Sequence, residues 1–155
     1  DIGPMISAAQ AERIVAWTAE AVAQGATLLA GGERAGTLVR PTLLANVADD
    51  ARVACHEAFG PVASLFRFTE LDAAIDAANR ADYAIHAAIF TESIRHARHA
   101  ARRLRVAGVM INDSTDYRLD AMPFGGAGRG NMGREGVRFA MREMSQTKVI
   151  CFHDS

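Results

Sequence analysis

Short apolar runs of strand character alternate along this chain with segments whose apolar residues recur every three or four positions. That alternation predicts an α/β fold, a mostly parallel sheet with flanking helices, since strand–helix–strand units stack as such layers. The first helix opens at Ser7, where Gln10 completes a capping-box spacing that satisfies backbone donors from both side chains. Ala11, Ile14, Val15 and Val22 keep one apolar face, and Gly25 supplies the stop. Extended stretches are expected at residues 27–30, ending at Gly31-Gly32, and at 39–47, 62–68, 86–90 and 106–111. Thr69 with Asp72 repeats the capping pattern ahead of the stripe Leu71, Ala74, Ile75 and Ala78. Ile94, Ala97, Ala101 and Leu104 mark another helix, with Arg95, Arg98, Arg102 and Arg103 on its wet face. A last helix is expected near residues 134–143, and a last strand at 148–152 has no later helix to cover it.

At 155 residues the chain has the length of one domain, and its 50% hydrophobic and 23% charged residues are ordinary for a globular protein. Seventeen basic against 18 acidic residues leave a formal charge of −1, which argues against a nucleic-acid partner. No apolar run approaches the roughly 20 residues that span a bilayer, so no membrane partner is expected. No charged leader with an apolar core opens the chain, and Asp1 in place of Met points to a piece cut or processed from something longer. With Cys55 and Cys151 as its two cysteines, the chain fits a reducing, cytoplasmic setting better than a disulfide scaffold.

Three constellations invite chemistry. Gly128, Gly130 and Gly133 satisfy G-x-G-x-x-G, a spacing that lets backbone approach a pyrophosphate. The segment before them, residues 120–124, is no buried strand, so a tight loop around a close backbone contact is the reading adopted. His96 and His99 share a helix at a spacing that could serve a metal, but arginines surround them; a solvated face is expected, with no metal site. Cys55 precedes His56, yet neighbours in a strand face opposite ways, and a lone, half-buried Cys is expected.

Other residues carry a resemblance. Glu57-Ala58-Phe59-Gly60-Pro61-Val62 resembles the E-x-F-G-P-V segment of the NAD(P)-dependent aldehyde dehydrogenase superfamily. Met122-Pro123-Phe124-Gly125-Gly126, continuing to Gly133-Arg134-Glu135-Gly136, resembles its P-F-G-G and G-R-E signatures. Gly3-Pro4-Met5-Ile6-Ser7, Pro41-Thr42-Leu43-Leu44, Asn79 with Tyr83, Phe90-Thr91 and Ile111-Asn112 match in the family's order. Local departures are His56 for a second acid, Ala84 for a Gly after Tyr83, and Gly128-Arg129-Gly130-Asn131 for K-x-S-G.

The resemblance implies the C-terminal part of a catalytic domain (residues 1–145) followed by an oligomerisation strand and tail (146–155). It implies oxidation of an aldehyde to a carboxylic acid with NAD or NADP. The nucleophilic Cys and general-base Glu belong upstream, so Cys55 and Cys151 are not the nucleophile and the isolated chain is expected to be inactive. It implies that Glu57 meets the ribose next to the nicotinamide and that Phe59 packs beside that ring. From the residues alone, the pair would be a solvated turn acid and a core aromatic. Phe124 matches a wall of the aldehyde tunnel. Arg118 at its mouth suggests an anionic, short-chain aldehyde; a solvated pairing with Asp116 or Asp120 is the alternative. The tail implies a homodimer or homotetramer, against a strand docked in its own subunit. A non-catalytic assembly module built on the same domain is the alternative for the whole.

Overall fold

The computed structural model describes residues 2–129 and 133–153. They form two compact units, Asp1–Glu70 and Leu71–Ser155.

In the first unit, helix α1 (Ala8–Ala23) starts where expected, with Ser7 as N-cap and its hydroxyl accepting from Gln10 N–H, but only that half of the capping box forms, since Gln10 Oε1 accepts from Arg13 Nε instead. It ends in a Schellman motif, with Gly25 N–H donating to Val22 O and Ala26 N–H to Ala21 O. That geometry requires φ +106° at position 25, which glycine adopts without a Cβ penalty. Strands β1 (Thr27–Ala30), β4 (Thr42–Ala45) and β5 (Val62–Leu65) form a sheet in the order β1-β4-β5. Strand β4 runs antiparallel to β1 and parallel to β5, with Leu44 opposite Ser64.

The extended stretch 39–47 is broken by Pro41, which has no N–H to give a ladder. Its start belongs to a hairpin of β2 (Arg34–Ala35) and β3 (Leu38–Val39), and its end forms β4. Asn46 turns the chain at φ 54°, so the β4–β5 ladder stops at Ala45–Leu65 and Phe66 and Phe68 stay exposed rather than continuing a strand. Between β4 and β5 lies a short helix, α2 (Arg52–Cys55). Leu44 and Val53 are buried with Ala21, Ala26, Val47 and Ala51, and Trp17 packs against that cluster; Ile14 and Val39 centre a second one.

The second unit contains α3 (Leu71–Ala78), β6 (Tyr83–Ala84), β7 (His86–Ile89), α4 (Ile94–Arg103), β8 (Gly108–Ile111), β9 (Ala127–Gly128) and α5 (Val137–Glu143). Strands β7 and β8 pair in parallel around the α4 crossover, and β6 pairs antiparallel with β9. The class is α/β as expected. The pairing is mixed, because only β4–β5 and β7–β8 are parallel among the described ladders.

Two helix details differ from the pattern read in the sequence. Helix α3 begins at Leu71, and the Asp72 carboxylate, instead of joining a cap, takes His99 and Arg103 of α4. The His99 hydrogen bond holds that carboxyl below its usual range. Helix α4, capped by Ser93, buries Ala97 and Ala100 and leaves Ile94 and Ala101 outside. Small alanines are thus its buried row. Arg103 is also no mere solvating charge, since it bridges Asp72 and Asp76.

Residues 145–153 carry no strand, and 148–152 pair with no described strand of this chain. The strand expected at 148–152 does not form among the described residues, because no neighbouring strand of this chain lies along it to complete a ladder. Among the described residues no helix is long and apolar enough to cross a membrane.

Candidate functional site

The stretch from His56 to Pro61 leaves α2 as a loop pinned from both sides. Arg13 of α1 donates from Nη2 to the Ala58 carbonyl at 2.6 Å while its Nε donates to Gln10 Oε1 at 2.7 Å. The same guanidinium lies 4.5 Å from the Trp17 ring centroid, which fixes its plane. On the far side, Pro61 O accepts from Thr42 N–H and so ties the loop to β4. Gly60 rests on α1: a Cβ there would stand 2.8 Å from Ile14 Cγ1.

Between these clamps Phe59 adopts φ 48° and is 80% exposed. A bulky aromatic in the left-handed region costs of order 1–3 kcal/mol, so its surroundings impose the conformation. The reading of Phe59 as a core aromatic is overturned, because the turn aims the ring outward. Glu57 is exposed, and among the described residues no hydrogen bond or ion pair engages its carboxylate. A clamped backbone thus presents an uncommitted acid and an aromatic face together.

Cys55 is exposed rather than half-buried and ends α2 rather than lying in a strand. Its Sγ lies 3.5 Å from Asp50 O, while the His56 ring faces Trp17 at 6.0 Å between centroids. The two do not pair, as expected, though the cause is a helix end and not strand alternation. Cys151 is exposed as well.

In the second unit Phe124 gathers a cluster. The Arg118 guanidinium stands 4.1 Å above its ring, and the His86 ring meets it edge-on at 5.4 Å. Phe124 and Glu135 exchange backbone hydrogen bonds of 3.1 and 2.6 Å, and Glu135 Oε2 lies 3.6 Å from Arg118 Nη2. Neither Asp116 nor Asp120 pairs with Arg118 among the described residues; the partner is Glu135, 17 positions on. The guanidinium is half exposed, leaving donors that can meet a ligand.

The glycine-rich stretch behaves as a tight loop where it is described. A Cβ on Gly128 would stand 2.4 Å from Asp82 O, and one on Gly125 would stand 2.6 Å from Gly133 O. Gly130, the middle glycine of the G-x-G-x-x-G spacing, lies outside the described residues. His99 is engaged by Asp72 and His96 is exposed; among the described residues no group of three or more His, Cys, Asp or Glu could hold a metal. Glu57 with Phe59, and Arg118 with Phe124, are therefore each brought together within one unit. Nothing in the sequence marks Arg13, His86 or Glu135 as their neighbours, because each acts from a distant element.

A family model described as the aldehyde dehydrogenase family matches residues 1–150. The chain belongs to that family. It is 51% identical over 153 residues to aspartate-semialdehyde dehydrogenase 1 of Pseudomonas canavaninivorans, covering 99% of this chain and 33% of that protein. Among solved structures it is similar to aldehyde dehydrogenase 21 of Physcomitrella patens in complex with the reaction product succinate. There the TM-score is 0.92 at 39% identity, over 96% of this chain and 31% of that one. Glyceraldehyde-3-phosphate dehydrogenase GapN of Methanocaldococcus jannaschii, complexed with NADP, gives a TM-score of 0.89 at 42% identity, over 94% and 32%. The chain spans about a third of the length of these aldehyde dehydrogenases.

Proposed function

We propose that the protein containing this chain oxidises an aldehyde to a carboxylic acid using NAD or NADP, and that the aldehyde carries an anionic group. The observation that carries the redox half is the pinned loop at Glu57 and Phe59. Those residues fit a nicotinamide nucleotide: an unpaired carboxylate can accept from both hydroxyls of a ribose diol, and an exposed aromatic face can flank the adjoining ring. When bound, the nucleotide supplies the hydride acceptor. Arg13 and Gly60 keep the loop rigid, so Glu57 orients the ribose without a reorganisation cost. Cys55 Sγ lies against Asp50 O while the His56 ring faces Trp17, so these two neighbours form no nucleophile–base pair, and the nucleophile is assigned elsewhere in the longer protein.

Arg118 over Phe124 supports the substrate half. An aromatic wall accepts the aldehyde's carbon chain, and a guanidinium fork can bind two oxygens of a carboxylate, phosphate or sulfonate. The relatives named above are called dehydrogenases of aspartate semialdehyde and of glyceraldehyde 3-phosphate, and each of those aldehydes carries an anionic group, a carboxylate or a phosphate. Arg118→Ala in the full-length enzyme is expected to raise KM for a charged aldehyde roughly 10- to 100-fold, the value of a charge-assisted contact. A neutral aldehyde of equal length should keep its KM; equal effects on both would mean that Arg118 only holds its loop.

The tail is read as a surface for a second copy. Val149, Ile150 and Phe152 are exposed β-formers that make no strand within this chain, and a second copy would supply the ladder they lack. Deleting Lys148 onward should lower the mass measured by light scattering from a dimer or tetramer towards the protomer. An unchanged mass rejects this role.

A further inference from the structure

The Arg118–Phe124 pair is braced from behind by a residue on the sheet. His86 opens β7, and its ring stands edge-on to Phe124 at an interplanar angle of 88°. Its Nδ1 lies 3.0 Å from the carbonyl oxygen of Thr115. A carbonyl only accepts, so the proton resides on Nδ1. One imidazole therefore meets the chain on both sides of Arg118: at Thr115, three residues before it, and at Phe124, six residues after.

The space for that ring is built into the neighbouring strand. Gly108 of β8 pairs directly with His86 in the parallel ladder. A Cβ at Gly108 would stand 2.8 Å from His86 Cδ2 and 3.1 Å from Nε2, so any larger residue would drive the imidazole out of this rotamer. Glu135 ties the far end of the loop at Phe124, but the bonds within residues 113–117 are local. Ser114 N–H donates to Asp113 Oδ1, Asp116 N–H to Ser114 Oγ and Tyr117 N–H to Ser114 O, and none of these reaches the sheet.

We propose that His86 is a positioning residue that holds the Thr115–Phe124 segment so that the Arg118 guanidinium stays over Phe124, poised for the anionic end of the aldehyde. This rests on the reading of Arg118 and Phe124 as the aldehyde pocket. His86 touches neither substrate nor cofactor in this role. Its loss leaves the charge of Arg118 intact but frees the loop that aims it, so discrimination between charged and neutral aldehydes falls before turnover does.

The test uses the full-length enzyme with Arg118→Ala as reference and three substitutions at position 86. His86→Ala removes ring and donor. His86→Phe keeps an aromatic edge against Phe124 but donates nothing. His86→Asn places an amide donor near the position of Nδ1. The Ala and Phe variants are expected to raise KM for an anionic aldehyde roughly five- to tenfold, the worth of one hydrogen bond, with kcat and the neutral-aldehyde KM unchanged. The Asn variant should recover most of the loss, and His86→Ala added to Arg118→Ala should cost nothing further for the anion. If Ala, Phe and Asn behave alike, or if both aldehydes suffer equally, the inference is overturned. Arg118→Ala that discriminates while every His86 variant matches the parent overturns this inference alone. Arg118→Ala that fails to discriminate removes the substrate reading, and this one with it.

Discussion

Leu44→Ala is expected to destabilise the first unit by about 2–5 kcal/mol, the range for truncating a fully buried leucine. Leu44 is 0% exposed on the central strand of the β1-β4-β5 sheet. The other buried members of its cluster are alanines and valines, too short to collapse into the void. Trp17 packs against the same cluster and is the chain's single tryptophan, so equilibrium unfolding followed by its fluorescence reads the change directly. Leu43→Ala, one position along and on the opposite face of β4, is half-buried and should cost less. Equal losses at the two positions would refute the assignment of Leu44 to the core.

Glu57→Gln should slow hydride transfer in the full-length enzyme roughly 10- to 100-fold, the scale on which misplacing a reacting group acts. The amide keeps the shape of the side chain but loses one of two acceptor oxygens and the charge that strengthens both hydrogen bonds. Folding should be unaffected, because Glu57 is exposed and no described residue depends on its carboxylate. Single-turnover measurement of nicotinamide reduction separates this step from product release. An unchanged rate constant would mean that Glu57 does not meet the ribose. Arg13 holds the Ala58 carbonyl at 2.6 Å and carries the loop's geometry rather than its chemistry.

What the sequence by itself determined is local. The Ser7–Gln10 cap, the Schellman turn at Gly25 and the strand Thr27–Ala30 lie where spacing and residue type put them. Each rests on hydrogen bonds or steric preferences within a few residues, so neighbours along the chain suffice to specify it. The α/β alternation was legible for the same reason, and the resemblance of the E-x-F-G-P-V and P-F-G-G segments singles out Glu57, Phe59 and Phe124, with Arg118 in the stretch just before the second segment. Tertiary structure alone decided how those residues are held. Arg13 reaches Ala58 across 45 positions, and His86 reaches Thr115 across 29. No periodicity records such pairings, because they depend on loops closing and on which face each element buries. The buried row of α4 shows the same limit. Ala97 and Ala100 lie inside while the larger Ile94 lies out, because packing against neighbours, and not side-chain hydrophobicity, chose the face. At Phe59 the tertiary frame overrode a local preference outright: Arg13, Ile14 and the Pro61–Thr42 bond impose a left-handed turn that the residue's own sterics oppose.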